Sequence, residues 1–349
     1  LVLGVYAKLD PPVHAVLSGL PSGVCNQWQI NCAGLNDRQA AEAKRFVLGD
    51  YDVVLGMLER RLDDHTRGDS RVRSEVAERL RSGSKNPAPI HKALIALADR
   101  GGPKTIVTTN FDLLLQLAAR RGRTSMETYS LGSIPRPTRQ NDFTGVLHIH
   151  GALEAKPTRS SQLILTDQDF GEFYLRRRVV PDFIYDAARL YNLVLVGYSA
   201  NDPPMRYLLN AVAADGKRFE DLKERFTFFG ASTPDLVALE DWRGRGITPI
   251  PYDSKNNHDA LRATLARWAE LSANNGKKEI VEAELLRIVR TPRSTADISD
   301  RDLFDHFFRR GNASERTRLS ALISSAKADL EWLDAIVKIC AETDRGRNP

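Results

Sequence analysis

Between residues 105 and 250, short apolar runs alternate with stretches of helical periodicity. This alternation constrains the fold more than any other feature of the chain. TIVT at 105–108 is rich in β-branched residues, 145–150 reads as a second strand broken by Gly151, and 163–165 as a third. Residues 193–196 are fully apolar and stop at Gly197; strands at 226–229 and 247–250 follow. Helical spacing is expected over 113–119, 167–178 and 181–191, a helix opens at Pro203-Pro204, and another follows Asp259. Strands this apolar must be covered on both faces, so the expectation is an α/β fold around a doubly wound, mostly parallel sheet. In such sheets ligands bind beyond the carboxyl ends of the strands.

The flanks read differently. Residues 1–6 are compatible with a strand, and SGLPSG at 18–23 is a turn. Helical spacing covers 51–62, 72–80 and 90–97, giving a helical insertion over about 41–100. Beyond Asn274-Asn275-Gly276 the strands stop, and 280–289, 300–308 and 314–339 read as helices. We therefore divide the 349 residues into 1–275 and a C-terminal helical appendage, 276–349.

Charge and cysteine usage narrow the class. Fifty basic against 45 acidic residues leave +5 over the whole length, too diffuse to argue for direct contact with nucleic acid. Cys25, Cys32 and Cys340 make neither a disulfide framework nor a four-thiolate zinc site, which fits a reducing cytoplasm. No apolar run reaches the roughly 18–20 residues of a membrane span, and the start lacks a signal peptide's basic and apolar regions. The chain begins at Leu1 without a methionine.

Three motifs stand at strand ends: TTNFD at 108–112, VLHIHG at 146–151 and LVLVGYSANDPP at 193–204. Each has a plain structural reading. Asn110 and Asp112 suit a turn and a helix cap. His148 and His150, two apart on a strand, share a face and suit a core. As a metal pair they lack a third ligand at clear spacing, so no metal is expected. Gly197-Tyr198-Ser199 suits a tight turn or a backbone approach to a phosphate or ribose.

In that order the trio resembles the sirtuin superfamily, and more closely the sirtuin-like NAD-cleaving domains of bacterial antiphage defence proteins. ILTDQDFGEFYLRRR at 164–178 and ITPIPYDS at 247–254 add to the likeness, which covers roughly residues 100–255 well and 40–100 loosely. The resemblance implies a Rossmann-like, sirtuin-like domain with NAD as its substrate. Asn110 would contact the nicotinamide ribose and position water, Asp112 would lie beside the nicotinamide pocket, and His150 would act on the ribose hydroxyls. Thr108, Thr109 and Gly151 would complete the cofactor-binding rim, Gly197 and Ser199 would hold the adenosine half, and Tyr252 would lie near the adenine. The residue types suit the chemistry. Nicotinamide departs from a cationic pyridinium and needs no proton, the sugar becomes oxocarbenium-like, and a histidine can remove the remaining proton.

Two departures matter. The Gly-Ala-Gly-x-Ser loop that opens sirtuin domains is not found in residues 1–40, where SGLPSG matches only its tail. An enzyme reading presupposes such a phosphate loop. The paired zinc cysteines of protein deacylases are also missing, so no zinc is expected and cleavage of NAD itself is favoured. Three readings stay open: an NAD⁺ glycohydrolase serving as a defence effector, a non-catalytic NAD or ADP-ribose-binding module, and an NAD-dependent protein deacylase. Such domains imply a homo-oligomer or a partner sensor protein. The clusters at Arg120, Arg121 and Arg123 and at 176–178 read as solvated helix faces. The apolar stripe of Leu319, Leu322, Ile323, Leu330 and Leu333 reads as packing on the core, with a partner interface as the alternative.

Overall fold

The computed structural model describes the chain except residues 21–25, 27–29, 64–69, 84–85, 100–103, 123–124, 133, 136, 138–142, 154–162, 199–202, 216–221, 234, 273–276 and 346–349. Two compact units emerge: Leu1–Ile95 with Pro103–Leu261, and Ala96–Gly102 with Arg262–Pro349.

The first unit is a mixed α/β body with parallel sheets. Strands β1 (Thr105–Thr108), β2 (Glu127–Tyr129) and β3 (Gly145–His148) form one sheet in the order β1-β3-β2. Strands β4 (Leu193–Leu195), β5 (Arg225–Ala231) and β6 (Thr248–Asp253) form another in the order β4-β5-β6. Every pairing is parallel. Leu147, Ile149, Phe173, Phe183, Val212 and Ile247 belong to one buried cluster, which accounts for the apolar character of the central strands.

Three local expectations are corrected. Residues 1–6 form no strand: Val2–Leu9 is a helix whose Val5 and Tyr6 are fully buried, so its apolar residues serve a helical face. Leu163–Leu165 is buried but forms no strand among the described residues: its backbone groups bond to Arg73 Nη1 at the Leu163 carbonyl (2.9 Å), to the His150 carbonyl from the Ile164 N–H (2.9 Å) and to Asp169 from the Leu165 N–H (3.0 Å). The stretch 314–339 is two helices, Ala313–Ser325 and Leu330–Arg345, separated where Lys327 adopts a left-handed conformation.

The N-terminal helices pack into their own cluster, including Tyr6, Leu58, Val72 and Val76, and Leu163, Leu165 and Phe111 join it. Arg73, 1% exposed, reaches Glu59 at 2.7 Å and Asp169 at 2.7 Å. Asp169 also accepts the backbone N–H groups of Leu165 and Thr166, both at 3.0 Å. Removing one member of such a buried cluster leaves the other charges unpaired and is strongly destabilising. Here the triad ties the helical insertion to the segment after VLHIHG.

The second unit has its own core of Phe304, Phe307, Phe308, Leu319, Ile323 and Trp332, all fully buried. The tail stripe thus packs within this unit through Leu319 and Ile323, whereas Leu330 is exposed. Arg176 and Arg177 both pair with Glu172, at 3.0 and 2.6 Å, as a solvated basic turn should. Among the described residues no helix is long and apolar enough to cross a membrane.

Candidate functional site

Register builds the site. Thr108 of β1 lies opposite His148 of β3, and the pairing continues past the strand ends. The Ile149 N–H donates to the Thr108 carbonyl at 3.0 Å, and the Leu153 N–H to the Phe111 carbonyl at 2.8 Å. TTNFD and the residues after β3 therefore run side by side, with Asn110 and His150 on neighbouring strand ends.

Each residue of TTNFD has a distinct use. The Thr108 hydroxyl accepts the Asn110 N–H at 3.1 Å and tightens the turn, and Thr109 is half-buried. The Asn110 side chain is exposed, whereas Phe111 packs on the helical cluster. Asp112 accepts the Leu114 N–H at 3.0 Å, a turn bond two residues on; the N-cap of the helix Leu114–Arg121 is Leu113, with no side-chain capping bond, so the turn use foreseen for this residue type is realised and the helix-cap use is not.

The two histidines meet different partners. His148 ends β3 and is fully buried. Its Nδ1 lies 2.7 Å from the Asn110 carbonyl and its Nε2 lies 2.8 Å from the Gln116 amide nitrogen. A carbonyl only accepts, so Nδ1 carries the proton and Nε2 accepts from Gln116. Burial pushes the imidazole below its ordinary range, against the Asn110 carbonyl and the Asp112 charge, which favour the cation.

His150 stands two residues beyond the strand end, where the period-two rule no longer governs direction. It is 8% exposed, and burial pushes its pKa down to about 4. Its Nε2 lies 2.7 Å from the Tyr174 hydroxyl, and its ring meets Phe170 edge-on at 5.5 Å. Gly151 follows with φ of +97° and donates to the His148 carbonyl at 3.1 Å. A side chain rarely tolerates that conformation.

The remaining residues belong to the second sheet. Gly197 follows β4 with φ of +66°, and the space where a Cβ would stand is open. This is geometry through which a ligand can approach the backbone. Ser199 lies outside the described residues. Tyr252 sits near the end of β6, opposite Gly230, and its hydroxyl is 2.9 Å from His258 Nδ1. A Cβ at Gly230 would come within 2.6 Å of that hydroxyl, so glycine makes room for the ring. Asn256, Asn257 and His258 are all left-handed, a local strain that asparagine bears best. Among the described residues no group of three or more His, Cys, Asp or Glu could hold a metal ion; Cys25 lies outside them.

Sequence reasoning missed Gln116 and Tyr174. Both act across long separations, 32 and 24 residues from their histidines, and no local spacing announces such a contact.

Residues 104–250, which hold β1 to β5 with Asn110 and His150 on adjacent strand ends, match the family model of the SIR2-like domain. The chain carries a SIR2-like domain. An uncharacterized protein of Sinorhizobium fredii, y4cA, is 33% identical over 296 residues, covering 78% of this chain and 24% of that protein. The chain thus spans about a quarter of the length of this curated relative.

Proposed function

We propose that the chain is an NAD⁺ glycohydrolase, converting NAD⁺ and water to ADP-ribose, nicotinamide and a proton. The observation that carries this reading is the placement of Asn110 and His150 on adjacent strand ends of a SIR2-like domain. The exposed Asn110 amide orients the nicotinamide ribose and the attacking water without adding charge. His150, neutral because burial disfavours its cation, is the proton acceptor in this reading, and the same burial makes it a weaker base than a free histidine. Thr108, Thr109 and Gly151 shape the rim, and Asp112 borders the nicotinamide. The open backbone at Gly197, with Ser199, receives the adenosine half, and Tyr252 borders the adenine. We extend the proposal to a cytoplasmic antiphage effector that works as a homo-oligomer or with a sensor protein.

NAD⁺ loss with purified protein, beside Asn110→Ala and His150→Ala, tests the assignment. Wild type should consume NAD⁺ and both variants should lose at least about a hundredfold, the worth of a positioned base. Equal rates in all three would refute it. The local turn bond that occupies Asp112 favours a second reading, a module that binds NAD or ADP-ribose without cleaving it. Calorimetric binding without nicotinamide release would establish that reading instead.

A further inference from the structure

The imidazole of His150 has one nitrogen committed. Nε2 lies 2.7 Å from the Tyr174 hydroxyl, and Tyr174 is 3% exposed. Tyr174 sits on a π-helical turn, Gly171–Arg176, closed by the Arg177 N–H on the Glu172 carbonyl at 2.8 Å. Single π turns of this kind recur at functional sites. Phe170 and Tyr174 pack tilted against each other, ring centres 5.4 Å apart, and both contact the His150 ring, with centres at 5.5 and 6.0 Å. The turn is itself anchored, because Asp169, one residue before Phe170, is held by Arg73 at 2.7 Å. A helical insertion, a buried triad and a π turn thus fix one phenol against one imidazole.

A neutral imidazole offers one donor and one acceptor, so the Tyr174 bond has two possible directions. If the phenol donated to Nε2, the ring proton would sit on Nδ1, and a second proton could enter only at Nε2, where the hydroxyl would have to turn from donor to acceptor. If Nε2–H donates to the phenol oxygen, Nδ1 is free to accept, and the bond survives and strengthens when the ring becomes a cation. Resting on the NAD-cleaving reading, we infer that Tyr174 is a positioning residue for His150. Its oxygen accepts Nε2–H and leaves the Nδ1 lone pair to take the proton of a ribose hydroxyl. In that step the hydroxyl O–H bond breaks, Nδ1–H forms, and Nε2–H stays on Tyr174. The proton later passes from Nδ1 to solvent.

Long-range proton–nitrogen NMR on full-length protein with ring-labelled histidine tests this at neutral pH, with His150→Gln assigning the resonances. The expected state is protonated Nε2, bare Nδ1, and an Nε2 proton that exchanges slowly with water. In Tyr174→Phe that slow exchange should be lost, with the melting temperature retained. An Nδ1-protonated ring in wild type, or slow exchange persisting in Tyr174→Phe, overturns the inference. Neither outcome depends on NAD⁺. In turnover, Tyr174→Phe should lower kcat about tenfold, the value of one charge-assisted hydrogen bond, with KM changed less than about twofold. An unchanged kcat also overturns the inference. A wild type that never consumes NAD⁺ overturns the glycohydrolase reading and leaves the NMR result to decide the role of Tyr174.

Discussion

The Nδ1 of His148 donates to the backbone carbonyl of Asn110 at 2.7 Å, so the residue that ends β3 holds the shape of the loop that ends β1. Gln116, from the helix after that loop, closes the other side of the same ring at 2.8 Å. The first histidine of His-x-His therefore works as a strut beneath Asn110, whereas the second is buried against Tyr174 and Phe170.

Removing the strut should loosen the loop. His148→Leu leaves the Asn110 carbonyl and the Gln116 amide without this partner, a cost of about 2–4 kcal/mol. Urea unfolding should register that loss, and NAD⁺ turnover should fall with it although residue 148 touches no substrate. Asn110→Ala, at an exposed position, should alter turnover with a stability change within about 0.5 kcal/mol. A large destabilisation from Asn110→Ala would show that its side chain is structural.

Acid should weaken the fold through the same histidines. Burial holds His150 at about 4 and moves His148 in the same direction from the ordinary 6.5. Between those values the unfolded chain binds more protons than the folded one. Stability is therefore full above about 6.5 and is lost as pH falls toward 4, with His150 alone contributing about 3 kcal/mol. Denaturation at stepped pH should show the slope, and His150→Gln should flatten it. Parallel slopes would contradict a buried neutral His150.

The Arg73 triad should be strongly coupled. Arg73→Met strands the buried carboxylates of Glu59 and Asp169 and should cost about 3–5 kcal/mol in chemical denaturation. Adding Asp169→Asn should recover part of that loss, since contacting residues do not add independently. Strict additivity would mean the groups do not interact.

Gly197 offers a finer test. Its φ of +66° is left-handed and its Cβ position is open, so Gly197→Ala meets strain but no clash. The expected cost is about 1 kcal/mol, with Gly197→Asn costing less because asparagine tolerates this region. A thermal melt showing Asn worse than Ala would point to a steric neighbour.

Much of the first unit was legible in the chain itself. TIVT, the apolar run before Gly197 and the strand expected at 247–250, found at Thr248–Asp253, were legible because β-branched and apolar runs bounded by turn residues read as strands, although Val107, Val194 and Ile250 stay exposed. The helix Tyr51–Leu62 followed from its spacing alone. Leu163–Leu165 and residues 1–6 misled for one reason: apolar composition states that a segment is buried and leaves open what satisfies its backbone. An arginine from a distant helix answered that for Leu163.

The amino-acid order determined the α/β alternation, the strand ends and the residue types gathered there, since periodicity and turn chemistry are local properties. Only the tertiary structure decided that His148 would brace Asn110, that His150 would rest on Tyr174, and that Arg73 would anchor the turn between them. Each of those contacts joins residues far apart in the chain. Burial, which displaces the water that would otherwise satisfy these polar groups, is what makes each partner necessary.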